Sequence, residues 1–155
     1  MAKLLAAVSA LIIWLFSGLA TAEDLLDTAQ RSGNFKIFLD SVKASGLTRE
    51  LKTEGPFTAF IPTDDAFGRL TDYQWQTLSK KPEQMARMVR YHLMHGKVKV
   101  SEVKPGEVTS VEGHTLFLKS DNGMVTVNGA RVTESDLIAD NAIIHAIDEV
   151  LLPLD

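Results

Sequence analysis

The spacing of apolar residues changes character near Gly96. Upstream they recur at helical intervals. Leu25, Leu26 and Ala29 share one face of a short helix from Asp24 to about Arg31. Phe35, Phe38, Leu39 and Val42 then fall at i, i+3, i+4 and i+7, which predicts a second helix. Asn34 stands at its cap, Lys36, Asp40 and Lys43 face water, and Gly46 is its stop. Leu47–Lys52 predicts a further turn of helix. Phe57–Ile61, bounded by Pro56 and Pro62, predicts a strand buried on at least one side. Thr63 follows at a helix cap, with Asp64 and Asp65 in the first turn, where the positive end of the helix dipole favours carboxylates. From Pro82 a helix places Met85, Met88, Val89 and His92 on one face.

Downstream the period is two. Lys97–Val100, Val108–Val111, Thr115–Leu118, Met124–Val127 and Ala130–Val132 predict short strands. Gly113, Asn122-Gly123 and Asn128-Gly129 punctuate them as turns. A long apolar strand, Ala142–Leu152, ends the pattern. The chain has no internal repeat and no low-complexity linker, so it reads as one α+β domain, helices first and a meander of strands after.

Residues 1–22 stand apart. Lys3 precedes a charge-free apolar run from Leu4 to Ala20, which ends in Ala20-Thr21-Ala22 and switches at once to Glu23-Asp24. That pattern predicts a secretory leader cleaved after Ala22, leaving 23–155 as the mature domain. The run approaches the length of a membrane span, but the small-x-small site and the abrupt return of charge favour cleavage, so no stable membrane anchor is expected. Export to the periplasm or the cell exterior follows. None of Asn34, Asn122, Asn128 or Asn141 begins a glycosylation sequon.

Composition then narrows the chemistry. With no cysteine among 155 residues, disulfide scaffolds, Cys-ligated zinc, iron–sulfur clusters and thiol nucleophiles are excluded, and so is a lipoprotein anchor. A formal charge of −4 argues against nucleic-acid binding, and Lys97, Lys99 and Lys104 are too sparse to reverse that.

Three ordered segments carry a resemblance. Phe57-Thr58-Ala59-Phe60-Ile61-Pro62-Thr63-Asp64-Asp65-Ala66-Phe67 resembles the first signature of fasciclin domains, and Tyr91-His92 resembles their central Tyr-His motif. Asn141-Ala142-Ile143-Ile144-His145-Ala146-Ile147-Asp148-Glu149-Val150-Leu151-Leu152-Pro153 resembles the second signature, with Ala142 where the family usually has glycine. The resemblance implies a fasciclin-like wedge-shaped β-sandwich with helices packed along one edge. It makes Phe60, Pro62, Thr63, Ala66, Phe67, Asn141, Ile144, His145, Ile147, Asp148, Leu151 and Pro153 mainly structural signature positions. It also implies an adhesion or interaction module, with Tyr91, His92, Asp136 and Leu137 as interaction candidates, Leu137 replacing the family's Ile.

Catalytic and metal-binding patterns are weak beside that. His145 shares a strand face with Ile143, Ile147 and Leu151, which points to a buried, hydrogen-bonded ring. Asp148 and Glu149, adjacent on a strand, point to opposite faces. His92, His95, His114 and His145 form no zinc pattern; Met85, Met88, His92, Met94 and His95 offer copper-type donors that fit a helix core better. No nucleophile elbow and no glycine-rich phosphate loop occurs. The expectation is a non-enzymatic, cofactor-free, exported protein that binds a protein, extracellular-matrix or cell-surface partner. The alternative is an extracytoplasmic binder of a small apolar ligand such as a pigment or lipid, held near Ile143, Ile144 and Ile147 in a cleft between sandwich and helices.

Overall fold

The computed structural model describes residues 23–154, so the predicted leader lies outside the described residues. Helix α1 (Leu25–Ser32) opens on a reciprocal cap between Asp24 and Asp27 and closes at Gly33, whose φ of +81° is left-handed. It buries Leu25, Leu26 and Ala29, the expected face. Helix α2 (Lys36–Ala44) buries Phe38 and Val42, but its cap departs from expectation. Phe35, not Asn34, precedes the first helical residue, and no local side chain caps it. The Ile37 amide instead donates to Asp64 Oδ1 at 2.8 Å. Asp64 belongs to α4 (Asp64–Phe67), whose own cap is the expected Thr63, with its hydroxyl accepting from the Ala66 amide. One carboxylate therefore serves the amino ends of two helices, where both dipoles favour its charge.

Helix α3 (Thr48–Thr53) lies between them in sequence. Helix α5 (Asp72–Ser79) has no counterpart in the periodicity: it buries only Leu78 and rests on a capping box formed by Thr71 and Gln74. Helix α6 (Pro82–Tyr91) starts on proline, buries Met85, Met88 and Val89, and ends with His92 as its C-cap residue.

Seven strands complete the domain: β1 (Phe57–Pro62), β2 (Leu93–His95), β3 (Gly106–Thr109), β4 (Thr115–Asp121), β5 (Met124–Val127), β6 (Ala130–Ile138) and β7 (Ala142–Ile147). Their order is β2-β1-β7-β6-β5-β4-β3. At the centre β1 and β7 run parallel, with Phe60 opposite His145, and both are buried on both faces. Strand β6 pairs with β5 at its start and with β7 along its length, and its register slips between Val132 and Leu137. Those irregularities bend it, so the sheet folds into two facing layers. Phe60 and Ile147 from one layer meet Leu116, Leu118, Val125 and Val127 from the other in an inter-sheet core. On the outer face of the first layer, Ala59, Ile61, Ile144 and Ala146 pack under Phe38, Val42, Leu51 and Met88 of the helices. This is an α+β sandwich with its helices along one side.

Several boundaries differ from the pattern. Lys97–Val100 is not a strand: Val100–Glu102 forms a 3-10 turn, and Val98 and Val100 alternate because they lean on the inter-sheet core from a loop. The third strand ends at Thr109, leaving Val111 to donate its amide to the Leu93 carbonyl at 2.7 Å. The last strand stops at Ile147, not Leu152. There the Asp148 carboxylate accepts the Arg131 amide at 2.8 Å while its own amide donates to the Arg131 carbonyl. Ala142 is an ordinary extended residue, buried opposite Phe57, and needs no glycine conformation. Both Asn-Gly pairs turn as expected, with φ of +49° and +80° at Asn122 and Gly123 and +50° and +84° at Asn128 and Gly129.

Candidate functional site

Tyr91 and His92, where α6 ends, both face inward, with 4% and 0% of their surface exposed. The Tyr91 hydroxyl donates to the Thr115 carbonyl at 2.9 Å and accepts from Asn128 Nδ2 at 2.8 Å, so it joins the helix to the second sheet layer. His92 Nε2 accepts the Leu151 amide at 2.9 Å, which makes the other nitrogen the protonated one: Nδ1 donates to the Met88 carbonyl at 2.7 Å. Burial pushes the imidazole down to about 4, against the pull of the Met88 carbonyl.

His145 is the mirror case. Its Nδ1 accepts the Asp136 amide at 3.2 Å, so Nε2 carries the proton and donates to the Val98 carbonyl at 2.8 Å. The ring lies 5.7 Å from that of Phe60. Asp136 sits where β6 slips register, in the left-handed region at φ +59°, and its Oδ1 accepts the Val100 amide at 2.9 Å. A bulge, the Val100 amide and Val98 carbonyl of one loop, and a buried histidine thus fix one another. Leu137 leans on the helix-side core, and the next residue, Ile138, is 62% exposed.

Asn141 ties α1 and α3 to the start of β1. Its Oδ1 accepts the Leu25 amide at 2.8 Å, and its Nδ2 donates to the Leu51 and Glu54 carbonyls at 2.8 and 2.9 Å. Its own carbonyl accepts the Phe57 amide at 2.9 Å. One side chain therefore satisfies the start of α1 and the end of α3 at the mouth of the central parallel pair. Phe60, Pro62, Ala66, Phe67, Ile144, Ile147 and Leu151 are buried, Pro153 partly so, and Thr63 and Asp148 hold backbone amides.

Asp148 and Glu149 lie beyond the end of β7, where Asp148 is engaged by Arg131 and Glu149 is exposed. Met85 and Met88 belong to the helix-side core and Met94 to the inter-sheet core, so the thioethers do not converge. Among the described residues no group of three or more His, Asp or Glu side chains could hold a metal ion. Ile143, Ile144 and Ile147, expected beside a ligand cleft, are packed into the cores.

Residues 33–153 match the family model described as the fasciclin domain. The chain belongs to the fasciclin-domain family. Protein sll1483 of Synechocystis sp. is 36% identical over 135 residues, which cover 86% of this chain and 75% of that one. Protein sll1735 of the same organism is 35% identical over 83% of this chain and 97% of its own length. Human periostin is 31% identical over 86% of this chain, a match that spans only 16% of periostin. Among solved structures, a domain pair from the insect cell adhesion molecule fasciclin I superposes with a TM-score of 0.67 at 16% identity, covering 84% of this chain and 51% of that one. The fasciclin fold is thereby shown.

In this fasciclin domain, sequence reasoning missed the exposed aromatics of α5. Tyr73 is 78% exposed and Trp75 38%. Their signal was available: two aromatics in a polar window between two capping positions, with no apolar stripe to bury them. No helix among the described residues is long and apolar enough to cross a membrane.

Proposed function

We propose that this protein is an exported fasciclin module, freed of residues 1–22, that associates with a protein or matrix surface by complementarity and performs no covalent chemistry. The observation that carries it is the contrast between the motif positions. Tyr91, His92 and His145 are spent on hydrogen-bond partners within the fold. The β6 bulge instead brings the half-buried Asp136 carboxylate to the surface two residues from the exposed Ile138. An acid beside an exposed aliphatic residue on a rigid strand suits a mixed polar and apolar contact. Leu137 supports that surface from beneath, and Tyr91 and His92 hold the scaffold that presents it.

The test compares attachment of the producing cells, to each other and to a surface, with the gene intact, deleted, and restored carrying Ile138→Glu. Loss on deletion, with recovery by the natural gene and not by the variant, is the expected result. Attachment unchanged by deletion overturns the proposal.

A further inference from the structure

A groove of about 540 Å³ runs between α2 and the α4–α5 segment, away from the β6 bulge. That size falls among small-molecule sites. Phe67, Trp75 and Met85 supply apolar lining, and the Trp75 and Phe67 rings lie perpendicular, 6.1 Å between centroids at 87°. The polar groups are of one kind. The Ser41 and Ser79 hydroxyls each donate at 2.8 Å to a carbonyl of their own helix. That leaves two carboxylates, the exposed Asp40 and Asp64, whose Oδ1 already accepts the Ile37 amide; no lysine or arginine lines the groove. Neither acid has a cationic partner within ion-pair distance among the described residues.

We propose that this groove binds a small organic ammonium ion with an apolar body. Its charge lies beside Asp40 and Asp64, and its body against Trp75 and Phe67. The sign of the site decides the class. A carboxylate or phosphate of equal shape would meet two like charges. A neutral molecule would screen the exposed Asp40 carboxylate from water and give nothing back. A cation compensates Asp40, adds to the helix-end stabilisation of Asp64 and gains from the half-exposed indole. This binding is independent of the adhesion surface, which lies on another element.

The chain has two tryptophans, Trp14 and Trp75, so expressing the full chain with Trp14→Phe leaves the groove residue as the sole indole. Its emission is titrated with phenylpropylamine, phenylpropanol and phenylpropionate, which share one tail and differ in charge. The expected result is a saturable change with the amine at an affinity at least about tenfold tighter than the alcohol, weakened by salt, with the propionate weakest. Asp40→Asn, at an exposed position, reduces the amine's advantage by about threefold or more, and Ala44→Leu, which fills the groove from α2, abolishes binding of all three. Thermal melts confirm that both variants fold. Equal binding of the amine and the alcohol, or an amine affinity untouched by Asp40→Asn, overturns the assigned class. No saturable change with any probe overturns the site.

Discussion

The Leu151 amide donates to Nε2 of His92 across 2.9 Å inside a core that leaves the ring no contact with solvent. The chain after β7 has left the sheet by then, so this bond closes the C-terminal segment onto the end of α6. His92→Leu strands that amide and the Met88 carbonyl without partners. It should cost about 2–4 kcal/mol. His92→Gln, which offers both an acceptor and a donor, should cost less. Equilibrium urea unfolding of both variants checks the order; equal losses contradict the hydrogen-bonding role.

Acid acts on the same ring. The imidazole is held down to about 4 in the fold against 6.5 in the unfolded chain. Above 6.5 neither state binds the proton. As pH falls from 6.5 to about 4, the unfolded state takes it and the folded state does not, so stability declines. Below that both bind it and the loss is complete, about 3 kcal/mol in all. His92→Gln lacks this contribution. The stability of the natural chain relative to the variant should therefore fall by about that amount between neutral pH and the acid end of this window. A gap constant across the window contradicts it.

Asn141 joins Leu25, Leu51 and Glu54 through one amide group. Asn141→Ala should lose about 2–4 kcal/mol. Asn141→Asp keeps the acceptor for Leu25 but turns an oxygen toward the Leu51 and Glu54 carbonyls, so it should be at least as damaging. Chemical denaturation of the pair decides; a stable Asp variant removes Asn141 as the anchor.

Gly55 approaches the same residue from the other side. A Cβ there would lie 2.6 Å from the Asn141 carbonyl oxygen, at a φ of +130° that side chains rarely adopt. Gly55→Ala should lower stability by about 2 kcal/mol or more. A melting temperature equal to that of the natural chain would show that the backbone shifts freely.

Features fixed by local chemistry were legible in the sequence. Asn122-Gly123 and Asn128-Gly129 demand left-handed backbone and turn where they stand. The faces of α1 and α6 follow their apolar spacing. Interactions between distant segments were not legible. Asp64 caps α2 from 27 positions away, so Asn34 looked like the nearer candidate. Helix α5 buries one side chain and leaves no stripe to read. Val98 and Val100 alternate because a loop touches the core, an arrangement that copies a strand's period. The candidate site divided in the same way. The Tyr-His pair was readable as a motif, but only the fold shows that both rings turn inward, and that the exposed apolar neighbour of Asp136 is Ile138 and not Leu137.

The contact surface proposed at the β6 bulge is open to covalent trapping. Placing a photo-reactive benzoylphenylalanine at Ile138 and, separately, at the exposed Glu107 of β3 in the producing cells tests it directly. Irradiation should give a discrete higher-mass covalent adduct from position 138 and none from position 107. Equal labelling at the two positions, or no adduct from Ile138, would show that the bulge is not the contact surface.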